Sequence, residues 1–315
     1  MPTIGAGGVL GISMESSRGT YVAPSKWVPI RSESLTTSQE LTYRRNIRGI
    51  ADPMLPLPGN LTHEGDIEFE CTPDVLPYIF KSMRVGVTKT GSSDPYTYVY
   101  LPTHTATSTA SMSIYIERGG IRFTYSGVTI GKLSLTINEG IMVCTASVSA
   151  LSEVTQSATS SSYSNNKPFS TGNFSIEIPN SSAVTDMDNI TFDIDEGIQT
   201  NHRLNGSQNP ASVTLGERTV TCSMDRDFSS RADFDAFKAA TATSLAVICT
   251  YTPSGGSAND RYLKLEMPVA SMESYTVNLG SQGDLVRAST TYTASYSNSD
   301  TFAYRATVKT DENLA

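Results

Sequence analysis

Histidine is scarce in this chain, and the three present do not converge. His63, His104 and His202 fall in segments that read as loops or turns, where surface polar histidines are expected. His63-Glu64 lacks the second histidine of a zinc-protease helix. No Gly-x-Ser-x-Gly elbow is present to carry a nucleophilic serine. The four cysteines, Cys71, Cys144, Cys222 and Cys249, form no Cys-x-x-Cys pair, which argues against zinc and thioredoxin-like chemistry. All four lie in apolar or alternating segments and are expected as buried thiols. Without a convergent set of His, Cys and acidic residues, the expectation is a protein with no catalytic site, metal or cofactor.

Charge is thin as well. Charged residues are 17% of the chain and the net charge is −8, so a basic stripe for gripping phosphates is not a dominant feature. The one basic cluster, Arg44, Arg45 and Arg48, sits beside a Pro- and Gly-containing stretch and reads as a solvated or interfacial loop. No apolar run approaches the roughly 18–20 residues that span a bilayer, and no membrane partner is expected. Met1 to Gly19 carry no basic residue ahead of Val9-Leu10, and Glu15 soon interrupts them, so no export signal is expected. The Asn-x-Ser/Thr matches at Asn60, Asn173, Asn180, Asn189 and Asn205 then read as chance. Two partial motifs fail on mechanics. Gly5, Gly7 and Gly11 have no strand before them to make a dinucleotide loop. Asp193, Asp195 and Glu196 are followed by Gly197 where a calcium loop needs an oxygen ligand.

What the chain has in abundance is Ser, Thr, Val, Ile and Tyr, a composition that suits half-buried strands. Its 315 residues, 38% hydrophobic, suffice for two packed domains. The same plan is written twice. Gly65-Asp-Ile-Glu-Phe-Glu-Cys71 and Gly216-Glu-Arg-Thr-Val-Thr-Cys222 share Gly and Cys at a constant offset, with Phe69 matching Val220. A short helix is predicted after each, over Pro73–Met83 and over Ser230–Ala240, the second with a capping arrangement of Ser230 and Asp233.

Strands are predicted after each helix. In the first half they are Tyr96–Leu101, Ser113–Glu117, Ile121–Tyr125, Lys132–Ile137 and Met142–Ala150, with Gly119-Gly120 as a hairpin turn. In the second they are Leu245–Thr252, Arg261–Met267, Ser274–Leu279 and Leu285–Ser295, with a turn at Ser254-Gly-Gly-Ser257. Before each shared Gly stand strand and long loop: Trp27–Ser34 with Leu35–Tyr43, then 44–64; Ile190–Asp195, then 200–215. Ser152–Gly172, rich in Ser, Thr and Asn, reads as a linker. The implied organisation is an arm (1–26), a β-domain (27–151), the linker (152–172), a second β-domain (173–299) and a tail (300–315).

Two strands carry acids on one face only. Asp66, Glu68 and Glu70 alternate with Ile67, Phe69 and Cys71, and Asp193 and Asp195 with Phe192 and Ile194. Each strand therefore has one packed face and one acidic, wet face.

The opening Gly7-Gly-Val-Leu-Gly-Ile12, Glu15, Gly19-Thr20-Tyr21, Pro24, Trp27-Val-Pro-Ile30 and Ser32-Glu-Ser34 resembles the start of siphophage (long non-contractile tail) tail tube proteins. The continuation, from long Gly/Pro loop through the alternating Gly-Asp-x-x-Phe strand to helix and hairpins, is similar to them too. The resemblance implies a mainly β fold: two concatenated tail-tube-type β-sandwich domains, each with one flanking α-helix. It also implies a non-enzymatic virion protein, made in the host cytoplasm. Its rings would stack into a hollow conduit for DNA passage from capsid to host cell. A duplicated fold implies a homotrimeric ring with pseudo-sixfold symmetry, a homohexamer being the alternative. Implied partners are the tape measure, tail terminator and tail tip proteins, and genomic DNA in transit without specific binding. Asp66, Glu68, Glu70, Asp193 and Asp195 are then candidates for an acidic lumen. Arg44, Arg45, Arg48, Pro56, Pro58, His202 and Arg203 are candidates for ring-stacking loops. The competing readings are another virion part (tail tip or capsid decoration) and a two-domain β-sandwich adhesin.

Overall fold

The computed structural model describes residues 5–47, 49–105, 109–138, 140–253, 259–279, 281 and 283–314. The chain is mainly β, with two short helices among those residues. The first half runs β1 (Val9–Met14), β2 (Lys26–Val28), β3 (Ile30–Glu33), β4 (Thr36–Thr42), β5 (Leu57–Glu70), α1 (Leu76–Lys81) and β6 (Val85–Thr90). It continues through β7 (Tyr96–Pro102), β8 (Met112–Arg118), β9 (Ile121–Asn138), β10 (Ile141–Ser149) and β11 (Ser152–Val154). The second half has β12 (Phe174–Glu177), β13 (Ala183–Val184), β14 (Met187–Asp195), β15 (Ile198–Asn201), β16 (Ser212–Leu215), β17 (Thr219–Asp227) and α2 (Ala232–Lys238). It ends with β18 (Thr243–Tyr251), β19 (Arg261–Asn278), β20 (Arg287–Ala294) and β21 (Arg305–Thr310).

One antiparallel sheet runs through both halves, in the order β3 and β4, β5, β10, β9, β14, β17, β20, β19. Ile30, Phe69, Cys144, Leu135, Phe192, Cys222, Tyr292 and Met272 stand opposite one another in turn across it. Opposed residues of antiparallel strands point to the same side, so this row marks one face. The six residues from Phe69 to Tyr292 are buried. Burying each large side chain stabilises the fold by roughly 1.5–3 kcal/mol.

A second layer covers that face. In the first half it is built from β1, which pairs with β2 and β8, and from β8, which pairs with the start of β9. In the second half β12 pairs with β13 and β18, and β18 with the start of β19. Both long strands, each of 18 residues, therefore serve two layers. The sequence predicts each as two strands. They stay continuous because the irregularity is absorbed within the ladder: Gly131 bulges where Ser147 and Val148 face Lys132 and Ile130, and β19 shifts register between Met272 and Ser274.

The Gly119-Gly120 turn forms as expected, joining Arg118 to Ile121 with both glycines at positive φ, +60° and +86°. The predicted turn at 254–257 lies outside the described residues. The matched glycines also have a physical cause. A Cβ on Gly65 would come within 2.5 Å of the Leu35 backbone, and one on Gly216 within 2.9 Å of the Gly197 carbonyl. Each is a point where two backbones cross closely.

Three expectations give way. Residues 300–315 do not trail beyond the second half: β21 pairs with β19 on one side and with β7 on the other. Residues 152–172 are not a free linker. They supply β11, paired with β9, and fully buried Phe169, which donates to Cys71 O and accepts from Met142 N. The helices are shorter than predicted, and Ser230 does not cap α2 as its N-cap residue, which is Arg231. α1 is buried beneath Tyr100, whose ring stacks on Phe80 at 5.3 Å. α2 buries no residue and rests Phe234 and Phe237 on Tyr275.

Candidate functional site

The far side of the continuous sheet carries the acids. One row across it reads Glu68, Thr145, Ser134, Asp193, Thr221, Thr293. The row on one side reads Asp66, Ser147, Lys132, Asp195, Thr219. That on the other reads Glu70, Val143, Thr136, Thr191, Ser223, Thr291. The register thus brings all five sequence-predicted acids, from both halves, onto one face. The face is paved with hydroxyls that bond sideways: Ser147 donates to Asp66 Oδ1 at 2.6 Å, Ser32 donates to Glu68 at 3.1 Å, and Thr136 meets Thr191 at 3.2 Å. The cations that reach these acids are Arg31, 4.0 Å from Glu68 and 3.8 Å from Glu70, and Lys132, 3.8 Å from Asp193. They are tied to carboxylates, which leaves the surface hydrophilic and mildly acidic. Such a surface repels polyphosphate over roughly 8 Å at physiological ionic strength.

The candidate loops are largely strand. Residues 57–64, expected as loop, extend β5 and pair with β4. Pro58 is therefore an exposed strand residue opposite Leu41, and Pro56 is half-buried just before it. Arg44 and Arg45 are exposed at the hairpin tip; Arg48 lies outside the described residues. The 200–215 loop is the tip of a second hairpin, β15 with β16. Its Arg203 is exposed, but His202 is not free for stacking: its Nε2 donates to Leu61 O at 2.8 Å. Each candidate loop is thus closed at its base by paired strands.

His63, read as a surface residue, is buried at 1% exposure within β5. Its Nδ1 meets Thr37 Oγ1 at 2.9 Å and its Nε2 meets Asn209 Oδ1 at 3.1 Å, pinning the second hairpin to the first half. Burial is the main cause holding its pKa below the ordinary 6.5, against the Asn209 hydrogen bond and Glu153. A depressed histidine binds fewer protons folded than unfolded. Its contribution is present above pH 6.5 and fades as pH falls through the folded value. Denaturant titrations at pH 7.5 and 5.0 are expected to show lower stability at the acid pH, and His63→Gln is expected to shrink that difference. Equal stability of the wild type at both would reject the assignment.

Sequence reasoning missed three polar clusters. Glu15 accepts from Gly19 N (2.7 Å), Gly127 N (2.8 Å), Ser111 Oγ (2.6 Å) and Ser113 Oγ (2.7 Å), stapling the second layer of the first half. Lys26 Nζ lies 2.6 Å from Asp74 and 2.9 Å from Glu312, tying the segment after β21 to the turn before α1. Burial raises the Asp74 pKa, but Lys26 together with hydrogen bonds from Ser164 and Thr72 outweighs it and the net shift is down. Glu196 is fully buried between Arg84 and Arg218. Apart from Gly19 beside Glu15, the partners are remote in sequence, so no local pattern announces them.

These features define a structural β-protein whose conspicuous surface is a continuous acid- and hydroxyl-paved sheet. The sequence matches the family described as phage tail tube protein over residues 5–294, and the chain belongs to that family. It is a non-enzymatic structural component of the virion tail, a family role that implies self-assembly into a tube with other tail proteins. No curated protein matches the sequence. Among the described residues no helix is long and apolar enough to cross a membrane.

Proposed function

We propose that the chain is a siphophage-type subunit whose rings stack into a hollow conduit for DNA ejection, with the acid- and hydroxyl-paved face lining the lumen. Three chains make one ring. Each contributes two tail-tube units, 27–151 and 173–299, to give pseudo-sixfold symmetry. The strand pairings support two units: β5 with β10, β9 and β3 are arranged as β17 is with β20, β19 and β14. The observation that carries the ring is the state of the sheet's ends. Inside the chain the halves join by pairing β9 with β14. Among the described residues, the outer edge of β3 and β4 and that of 271–278 in β19 have no strand partner. Open sheet edges invite pairing, and a closed ring removes both at once. Tape measure, terminator and tip proteins would meet such a tube at its bore and ends, and DNA would pass without specific contacts.

Electron microscopy of purified assemblies, with the mass of a single ring, tests this. The expected result is a ring of three chains with six similar lobes. Six chains per ring would replace the trimer by the hexamer, and a protein that stays monomeric at high concentration would remove the ring altogether.

A further inference from the structure

Within one chain the two halves are joined in both layers. In the continuous sheet, Lys132–Ile137 of β9 pair with Ile190–Asp195 of β14. In the second layer, β21 stands between the halves. Its Ala306–Thr310 pair with Tyr96–Tyr100 of β7, and its Arg305–Lys309 pair with Tyr262–Glu266 at the start of β19. Among the described residues these are the two strand ladders that cross from one half to the other. The second is not a product of the repeat. The β6–β7 hairpin that receives β21 has no counterpart in the second half, where residues 239–242 lead from α2 directly into β18.

Both ends of β21 are also anchored on the first half. Before it, the buried Tyr304 ring lies 5.6 Å from the Arg218 guanidinium, which donates to the carbonyls of Arg84 at 2.7 Å and Thr103 at 3.4 Å. After it, Glu312 lies 2.9 Å from Lys26 Nζ and accepts from Tyr78 OH at 2.9 Å, while Tyr98 OH accepts from Leu314 N at 2.8 Å. Ala306, Val308 and Thr310 have no solvent exposure.

We infer that β21 is a clasp that fixes the angle between the two halves. A ladder in one layer alone leaves a hinge along its own line. A second ladder in a layer about 10 Å away removes that freedom. With β21 in place the halves move as one body; with β21 displaced they stay joined through β9 and β14 but flex. Resting on the ring reading above, the angle so held is the one at which the two units of a chain enter the ring.

The unassembled full-length chain tests the clasp, so the outcome does not depend on the ring. Thr307→Pro removes a backbone donor from the middle of β21. Labels at Thr36→Cys and Lys238→Cys, exposed positions in different halves, report the angle as a distance distribution, since the four native thiols are buried. The unaltered chain is expected to give one narrow distance. Thr307→Pro is expected to broaden it and to speed amide exchange in 97–100 and 262–266 by at least about tenfold, while 133–137 and 190–195 keep their protection. The milder Tyr98→Phe/Glu312→Gln is expected to shift exchange in 305–310 in the same direction by less. A narrow, unchanged distance in Thr307→Pro would overturn the clasp, because β9–β14 would then hold the angle alone. Loss of protection in β9 and β14 along with β21 would overturn it as well, by showing one inseparable core. So would a broad distance in the unaltered chain, or wild-type exchange throughout 305–310 in the milder variant.

Discussion

Alanine in place of Glu196 is expected to destabilise the folded chain by about 3–5 kcal/mol, because it strands two buried guanidinium groups. The carboxylate has no solvent exposure. Oε2 lies 3.1 Å from Arg84 Nη2 and Oε1 lies 2.8 Å from Arg218 Nε. Arg218 also donates to Arg84 O at 2.7 Å and lies 5.6 Å from the centre of the buried Tyr304 ring. Arg84 follows α1, Glu196 follows β14, Arg218 precedes β17 and Tyr304 precedes β21, so four distant segments meet at one carboxylate. The loss is not a measure of what the ion pairs contribute. Replacing all three charged residues by apolar ones of similar volume is expected to cost far less than the single alanine, since desolvation and attraction leave together. Urea unfolding of Glu196→Ala and of the triple apolar variant checks both statements. A single-variant loss below about 1 kcal/mol would show that water reaches the arginines and that the cluster is not closed.

The legible parts of this fold are those fixed by neighbours in sequence. Period-two alternation placed β5, β14 and the acids on them. Two glycines in a row placed the β8–β9 turn. The matched Gly65 and Gly216 stood out as a repeat, and the structure shows both to be close backbone crossings. What stayed hidden depends on residues far apart. The alternation of Phe302, Tyr304, Ala306 and Val308, all buried, was present in the sequence. Its position after an apparently complete second half made it read as a tail. Phe169 is a single apolar anchor in a Ser- and Asn-rich run, too little to change the composition of a linker. His63 and Glu196 look like surface residues because their partners, Asn209 and Arg84, lie 146 and 112 positions away. The five acids were legible one strand at a time. Their union on one face was not, because it depends on the register between β9 and β14.

That union sets the second large effect. Lysine at positions 66, 68, 70 and 195 moves the net charge from −8 to about zero and puts cations on the sheet face of every chain. Asp193 is left in place because its Oδ1 is buried and its carboxylate faces Lys132. Assembled tubes of this variant are expected to retain DNA, with log affinity falling against log salt at a slope of about −0.9 for each phosphate neutralised. Wild-type tubes are expected to retain none. A matching variant with Asn or Gln at the same four positions separates two effects. It removes the repulsion without supplying a grip, so it should let DNA pass and show no salt slope of that kind. Filling of the bore is the decisive readout, because DNA bound along the outside would give the same slope without blocking passage. Lysine tubes that bind DNA only on their outer surface would place this face on the wall's exterior, and the lumen would then have to be lined by the other layer.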